Sequence, residues 1–227
     1  MFVLTIDQQD SRTSNDAVPE ALAVLSSIPT LVPFARTIGD EVQGVLDDAH
    51  AVAEAVRRLA VEAGWHIGIG IGAVDEPLPE STTEGRGPAF YAARQAVEAA
   101  KTAPANLIVR SDPSAGQSAA SEAAVNPGSV DPSAEQSTAP DAHRRLAEAS
   151  LRLLVSTLAE LRVHSRGYVN YRLDHPEATQ NEIAARFDVS QQAVSRVLAP
   201  GIAEIVAGAE DLARHHLGLA EGADNVD

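Results

Sequence analysis

The chain has 227 residues and a formal net charge of −15, which argues against a protein that coats nucleic acid by bulk electrostatic attraction. It contains no cysteine, which excludes disulfides and thiolate metal ligands and is typical of a cytoplasmic protein. No stretch reaches the roughly 18 apolar residues of a membrane span, and the first residues lack the pattern of a signal peptide. We therefore expect a cytoplasmic protein that does not enter a membrane.

The chain begins with a strand and a helix. The apolar run Phe2–Ile6 predicts a buried strand that ends at Asp7. Apolar residues then recur at helical spacing over residues 17–28, with Asp16 as the N-cap. Pro29 ends that helix, because proline removes a backbone donor and clashes with the preceding turn.

A β-hairpin follows, with strands predicted at 31–37 and 42–46. Its apex carries Gly39, Asp40 and Glu41. A hairpin of this kind lifts two carboxylates to the edge of a sheet, where a metal ion or a phosphate ester could meet them. This turn is the first candidate functional site in the chain.

A helix ending at Gly64, a glycine-rich strand over 65–72, a helix from Pro88 to about Lys101 and a short strand over 107–109 complete this half. A strand tolerates so many glycines only where another backbone or a ligand comes close. Strand, helix, strand, strand, helix, strand is the ferredoxin-like order. That order places the first strand beside the hairpin strand, so that Asp7 and Asp40 would face each other across the strand ends.

The composition changes at residue 111. Residues 111–140 are nearly all Ser, Ala, Pro, Gly, Glu and Gln, which leaves little to bury and predicts a disordered linker. We therefore predict an α+β protein in which a ferredoxin-like domain (1–110) is joined by this linker to an all-α domain (141–218). The last residues, 219–227, are predicted to be a disordered tail.

Helical patterns resume at residue 141, and residues 179–198 have the pattern of a helix-turn-helix. Thr179 and Glu182 form a capping box, Asp188 stands in the tight turn, and Ser190 caps the second helix. Glutamine can pair with adenine edges and arginine with guanine or phosphate, so the outward polar residues predict contact with DNA. They are Thr179, Gln180, Ser190, Gln191, Gln192, Ser195 and Arg196. A last helix, over 202–217, is predicted to serve packing or dimerisation.

Asp7, the Gly39–Asp40 hairpin, the glycine-rich stretch 67–70 and residues 92–94 resemble the catalytic domain of class III nucleotide cyclases. More closely, four motifs in this order resemble the SatD family, a bacterial group with a cyclase-like half and a terminal helix-turn-helix. The motifs are DQQDSR (7–12), GDEVQG (39–44), GIGIG (68–72) and GPAFYAAR (87–94). The resemblance covers nearly the whole chain outside the linker.

The resemblance implies that Asp7 and Asp40 bind Mg²⁺ or Mn²⁺ together with a nucleotide. It also implies that Arg94 stabilises charge on the transferring phosphate, and that Arg36 lies near the position that selects the base. The expected ligand-binding set is Arg36, Glu41, Tyr91 and Arg94.

Two functional hypotheses follow. In the first, the chain is a DNA-binding transcriptional regulator whose cyclase-like domain senses a nucleotide or related phosphorylated ligand, dimerises, or does both. In the second, it is an active nucleotide cyclase that uses the two aspartates as metal ligands. Cyclases usually have Asn four residues before the arginine, where this chain has Phe90, and this departure favours the regulator. Both hypotheses predict a homodimer, because such sites usually form between two chains. A third interpretation is a scaffold whose cyclase-like half only dimerises.

Overall fold

The computed structural model of the chain describes residues 1–11, 13–62, 64–111 and 139–222. This part is a mixed α+β structure with one five-stranded sheet and eight α-helices. The strands are β1 (Phe2–Gln8), β2 (Val32–Arg36), β3 (Glu41–Leu46), β4 (Trp65–Ile71) and β5 (Leu107–Ser111). The helices are α1 (Val18–Leu25), α2 (Ala49–Glu62), α3 (Pro88–Ala100), α4 (Ala139–Ala159), α5 (Val163–Asp174), α6 (Gln180–Arg186), α7 (Gln191–Leu198) and α8 (Ile202–Gly222).

Several element boundaries differ from the predicted ones. Helix α1 begins at Val18 with Ala17 at its N-cap, so the prediction of Asp16 as N-cap was wrong by one residue. Ser111, predicted as linker, ends β5, and residues 219–222, predicted as tail, continue α8. Most of the predicted linker and residues 223–227 lie outside the described residues.

The strands lie in the order β2-β3-β1-β4-β5. Each of the first four strands is antiparallel to its neighbours among them, and β5 runs parallel to β4 at the edge. The prediction that the first strand lies beside the hairpin strand is confirmed, because β1 pairs with β3 along its length. The end of β1, the start of β3 and the start of β4 therefore meet at one end of the sheet.

Helix α3 packs on β4 at unusually short range. A Cβ on Gly68 would lie 2.2 Å from the backbone nitrogen of Val97, and a Cβ on Gly70 would lie 2.1 Å from the carbonyl oxygen of Ala89. No side chain fits in that space, so the glycines are required by the close approach of a backbone. The position of α3, and with it that of Lys101 just after its end, depends on these two residues.

The opposite face of the sheet carries the main hydrophobic core. Its strand residues alternate with those that face α3, as the two-residue period of a strand requires. Helices α1 and α2 cover this face, and the later helices α4 and α8 join them. The fully buried contributors from α4 and α8 are Ala147, Leu151, Ala213 and Leu217. The predicted division into two domains gave no indication of this shared core.

Helix α4 also covers the open edge of β5. Arg144 and Arg152 donate to the carbonyl oxygens of Val109 and Leu107 at 2.9 and 3.0 Å. Glu148 accepts from the amide of Val109 at 2.8 Å. These three side chains recur every four residues, so they lie on one face of α4. They satisfy backbone groups that an exposed edge strand would otherwise offer to another chain.

A second core lies among α4–α8. Its buried residues include Leu154, Leu158, Ile183, Val194 and Val206. Helices α4 and α8 contribute to both cores, so they join the sheet to the short helices. No helix in the part of the chain that the structure describes is both long and apolar enough to cross a membrane.

Arg57 of α2 adds a buried polar link between the two cores. It lies 2.8 Å from Asp174 of α5 and 2.9 Å from Glu210 of α8. It also donates to Asn170. Burial raises the pKa of Glu210, and Arg57 opposes that rise.

Candidate functional site

The predicted site lies at the end of the sheet where β1 finishes. Asp7 is directly opposite Glu41 of β3 on one side and His66 of β4 on the other. Residues directly opposite in a sheet point to the same face, and this is the face that α3 covers. The structure therefore brings Asp7 and Glu41 together. We call Asp7, Glu41, His66 and Lys101 the strand-end cluster.

Lys101 provides the positive charge of the strand-end cluster. Its Nζ lies 3.3 Å from a carboxylate oxygen of Asp7 and 2.8 Å from one of Glu98. The hydrogen bond to Glu98, followed by the nearby charge of Asp7, raises the pKa of Lys101. Two carboxylates that lie side by side on neighbouring strands repel each other. The positive charge of Lys101, which follows α3, reduces this repulsion at Asp7.

His66 completes the strand-end cluster. Burial lowers its pKa, against the opposing influence of Asp7. Its Nδ1 is buried without a hydrogen-bond partner among the described residues. Burial therefore favours the neutral form of the His66 imidazole, whose Nδ1 is left without a partner in the strand-end cluster.

Asp40 lies in the hairpin turn, one residue before the register position opposite Asp7. The Glu41 carboxylate accepts a hydrogen bond from the hydroxyl of Thr37 at 2.5 Å. Gly39, with φ of 64°, makes the turn possible. Glu41 rather than Asp40 is thus the acidic residue that the sheet places opposite Asp7.

Arg36 belongs to the other face of the sheet. It is paired in register with Val42, whose side chain lies in the main core, and residues paired in this way share a face. Its guanidinium forms an ion pair with Asp16, just before α1, and this hydrogen bond lowers the pKa of Asp16. Arg36 is therefore separated from Asp7 by the sheet itself.

Tyr91 and Arg94 lie on exposed positions of α3. Phe90, Arg94 and Lys101 share one flank of that helix, because four and eleven residues correspond to nearly whole turns. Phe90 packs in the cluster that contains Val3, and Lys101 reaches Asp7. Arg94 therefore lies on the flank that overhangs β1, between these two points.

The polar character of this face continues beneath α3. Thr5 and Gln43 are opposite each other in the sheet and are 0% and 3% exposed. The Gln43 side-chain amide donates to the Thr5 hydroxyl at 2.8 Å. This buried polar pair lies on the α3 face of the sheet, two positions along the strands from Asp7 and Glu41.

The predicted metal ligands Asp7 and Asp40 lie at the end of β1 and in the hairpin turn. In residues 1–11, 13–62, 64–111 and 139–222, no three His, Asp or Glu side chains form a group that could hold a metal ion, whereas the predicted site needs only two carboxylates. The cation beside Asp7 in the structure is the ammonium of Lys101. Binding of Mg²⁺ or Mn²⁺ by Asp7 and Asp40 stays a prediction.

Phe90, which stands at the cyclase asparagine position, is a core residue. It is 5% exposed and packs with Val3, Val45 and Val74. A Cβ on Gly85 would lie 2.0 Å from the Phe90 ring, so the loop that precedes α3 closes tightly over it. The position carries no polar group with which to orient a ribose or phosphate.

The second predicted site consists of α6, α7 and the turn between them. The capping box is present: the Thr179 amide donates to Glu182 at 2.7 Å and the Glu182 amide donates to the Thr179 hydroxyl at 3.3 Å. Asp188 has a φ of 51°, the left-handed conformation that a tight turn needs. Ser190 caps α7 by accepting from the amide of Ala193.

A hydrogen bond of 2.7 Å from Gln191 to Gln180 joins the starts of α6 and α7. These two of the predicted DNA-contacting residues are thus partly engaged with each other. Gln192 and Arg196 are exposed, one turn apart on the outer side of α7, and Thr179 and Ser190 are exposed beside them. Ser195 is half-buried. Thr179 and Ser190 are the N-caps of α6 and α7, so they lie with Gln180 and Gln191 at the starts of the two helices, whereas Ser195 and Arg196 lie about one turn further along α7.

His66 and Lys101 are absent from the predicted site set, although they contact or face Asp7. The strand register would have been the signal for His66, since His66 pairs with Asp7, at which the first strand was predicted to end. Lys101 follows α3 on the flank of Arg94, and that helical spacing was visible in the sequence. Neither signal becomes useful until the strand order is known.

Comparison with known proteins gives no neighbour for this chain: no family model, no curated protein and no solved structure matches it.

Proposed function

We propose that the chain is a DNA-binding transcriptional regulator, with α7 as the helix that enters the major groove. The observation that carries this proposal is the pair of exposed side chains Gln192 and Arg196 on the outer side of a capped helix whose inner side, Val194 and Leu198, is buried. Such a helix presents hydrogen-bonding side chains that can reach base edges in the major groove.

The charge distribution decides which kind of DNA binding the proposal requires. The net charge of −15 opposes non-specific attraction to phosphates, so affinity must come from specific contacts on a small surface. Thr179 and Ser190 lie beside the N-terminal ends of α6 and α7, where backbone amides favour phosphate oxygens. The proposal therefore predicts sequence-selective rather than general binding.

The test is selection from a randomised duplex DNA library with the full chain, followed by sequencing of the bound fraction. We expect one enriched motif. Q192A combined with R196A is expected to weaken binding to that motif by about 10- to 100-fold, because each side chain contributes one base-edge contact. The readout is fluorescence anisotropy with the selected duplex.

R214A is the matched control. Arg214 is an exposed arginine of α8 that pairs with Asp211, so this change removes the same charge away from α7. It is expected to leave affinity within about twofold, since one exposed charge has a small effect. No enriched motif, or equal affinity for the double variant and R214A, would refute the DNA-reading proposal.

The same proposal assigns a sensing role to the ferredoxin-like half, whose strand order supports that fold assignment. The strand-end cluster, with Arg94 on the overhanging flank of α3, offers carboxylates, a neutral imidazole and two cations to a nucleotide or related phosphorylated ligand. Isothermal titration with ATP and with GTP, each compared with R94A, tests this part. Unchanged heat for R94A would remove Arg94 from the ligand site.

A homodimer is also part of the proposal. Large apolar side chains are exposed seven residues apart on α4 (Leu146 and Leu153) and on α8 (Ile205, Leu212 and Leu219). Seven-residue spacing is the pattern of helices that pack against partner helices. L153E combined with L212E should convert a dimer into a monomer in analytical ultracentrifugation. A monomeric wild-type chain at micromolar concentration would contradict this assignment.

The second candidate function is nucleotide cyclase activity, which is favoured by the placement of Asp7 opposite Glu41 with Asp40 adjacent. Incubation with ATP or GTP, with and without Mg²⁺ or Mn²⁺, tests it. A cyclic product that disappears in D7A and in D40A would support the enzyme and demote the sensor. The burial of Phe90 and the ammonium beside Asp7 make the regulator the better supported of the two.

A further inference from the structure

A cavity of about 200 Å³ lies between the sheet and the helices that lead to α6 and α7. Trp65 and Ile67 of β4, Leu59 of α2, Ser156 of α4 and Arg166 of α5 line it. It is separate from the strand-end cluster, because Trp65 and Ile67 belong to the core face of the sheet while Asp7 and His66 belong to the α3 face. Ser156 is exposed, so the cavity opens to solvent beside α4.

Trp65 contributes its indole ring to the wall of this cavity. The residue is 5% exposed, and its Nε1 is fully buried, so the ring rather than the N–H meets the space of the cavity. An aromatic wall of this kind favours a ligand with an apolar body.

Arg166 brings a buried cation. It is 8% exposed, and it donates to the backbone carbonyls of Leu161, Ala159 and Ala60 at 3.1, 3.2 and 3.5 Å. No carboxylate of the described residues pairs with it. A guanidinium has five N–H donors, so donors remain for a ligand. Buried arginines are normally paired with an anion.

We propose that this cavity binds a small, largely apolar carboxylic acid. Its carboxylate would accept hydrogen bonds from the Arg166 guanidinium, and its hydrocarbon part would lie against Leu59, Ile67 and the Trp65 ring. The volume is roughly seven times the 30 Å³ that a water molecule occupies, which suits one small ring with its carboxylate. The site does not depend on whether α7 reads DNA.

The guanidinium offers donors and no acceptor, which favours a carboxylate over an amine or an alcohol. The carbonyls of Ala159 and Leu161 already use part of the guanidinium, which holds Arg166 in place before any ligand arrives. Such preorganisation lowers the entropic cost of binding.

Trp65 is the only tryptophan of the chain, so its fluorescence reports on the cavity directly. The experiment is titration of the full chain with sodium benzoate, with benzyl alcohol as the neutral analogue of the same ring. We expect a saturable change in Trp65 emission with benzoate at millimolar concentrations or below, and at least tenfold weaker binding of benzyl alcohol.

Two variants of α4 separate binding from folding. S156L fills the mouth of the cavity from an exposed helical position and should abolish the benzoate response. S150L places the same change on another side of α4 and should leave the response intact. R166K, compared with wild type, should lose at least tenfold in benzoate affinity and little for benzyl alcohol.

Three results would overturn the proposal. The first is a benzoate response that does not saturate. The second is a saturable response that S156L leaves unchanged while circular dichroism shows a folded chain. The third is equal affinity for benzoate and benzyl alcohol in wild type, which would mean that Arg166 only holds the ends of α2 and α4.

Discussion

The strand-end cluster and the α6–α7 pair are both polar surfaces, but they are held in place in different ways. Asp7, Glu41, His66 and Lys101 come from four separate segments, and sheet register and the close packing of α3 bring them together. The α6–α7 surface is fixed by hydrogen bonds within a dozen residues, from its capping box to the Gln180–Gln191 contact.

The two regions also differ in how far their charged and polar groups are already paired. Asp7 and Lys101 neutralise each other, and Glu41 is bonded to Thr37. Gln192 and Arg196 are exposed, and the Arg196 Nε reaches only a backbone carbonyl of its own helix. Apart from the His66 Nδ1, the groups of the strand-end cluster named above are bonded within the chain, whereas the outer side of α7 retains its hydrogen-bonding capacity for a partner. This contrast predicts that damage to the sheet is global and damage to α7 is local.

The largest effect is expected from G68A. A new Cβ would lie 2.2 Å from the backbone of α3, and α3 cannot move without disturbing the whole face. We expect a loss of about 3 kcal/mol in the free energy of unfolding, measured by urea denaturation. The control is G208A on exposed α8, where nothing lies within 4 Å and alanine should stabilise by about 0.5–1 kcal/mol. Similar behaviour of the two variants would contradict the close approach.

R57M is expected to rank second, at about 2 kcal/mol, because it leaves Glu210 and Asp174 without their buried partner while both retain some solvent contact. Burial raises the folded-state pKa of Glu210, and losing Arg57 would raise it further. The proton on Glu210 stabilises the folded chain below that pKa, and this contribution is lost as the pH rises through it.

The cost of R57M should therefore be smaller at about pH 5 than at about pH 7.5. Denaturation of R57M at both pH values, alongside R57M combined with E210Q, provides the measurement. The double variant should recover part of the loss near neutrality and show less pH dependence. A pH-independent cost would show that Glu210 stays charged.

S190A is expected to cost about 1 kcal/mol through loss of the α7 cap. Because the cap is local, amide hydrogen exchange should accelerate in α7 and remain unchanged in β1 and β4. S190N keeps a capping oxygen and should retain most of the stability. Acceleration spread over the sheet would mean that the two regions are not held independently.

K101M is expected to have the smallest effect on stability, below about 1 kcal/mol, since Lys101 is 39% exposed. Its positive charge lowers the pKa of His66, whereas Glu98 raises it. K101M should therefore raise the pKa of His66 and E98Q should lower it, as measured by NMR titration of the imidazole. Shifts of the same sign in both variants would mean that the pKa of His66 does not respond to the charges of Lys101 and Glu98.

The same contrast explains how much of each region could be predicted from the sequence. Thr179, Glu182, Asp188 and Ser190 are local signals, and each has the role in the structure that the pattern indicated. The pairing of β1 with β3 was also predicted, because the succession of elements has the ferredoxin-like order.

The long-range details were not predictable. The face on which Arg36 lies is set by β-strand register, so its pairing with Asp16 was not visible in the pattern. Glu41 rather than Asp40 faces Asp7 because the strand begins at Glu41. The sharing of a core between the sheet and α4 and α8 depends on side chains more than a hundred residues apart. Helical periodicity shows that a face is apolar but not what covers it.

The position of α8 has a consequence for how the chain folds during synthesis. Ala213 and Leu217 of α8 complete the core on the helix-covered face of the sheet, yet α8 is made after every strand. Until it emerges, part of that apolar face stays bare, and intermediates with exposed apolar surface aggregate or require chaperones. The long sequence separation of these contacts also slows folding. The nascent sheet is therefore the species in which this protein is most exposed to misassembly.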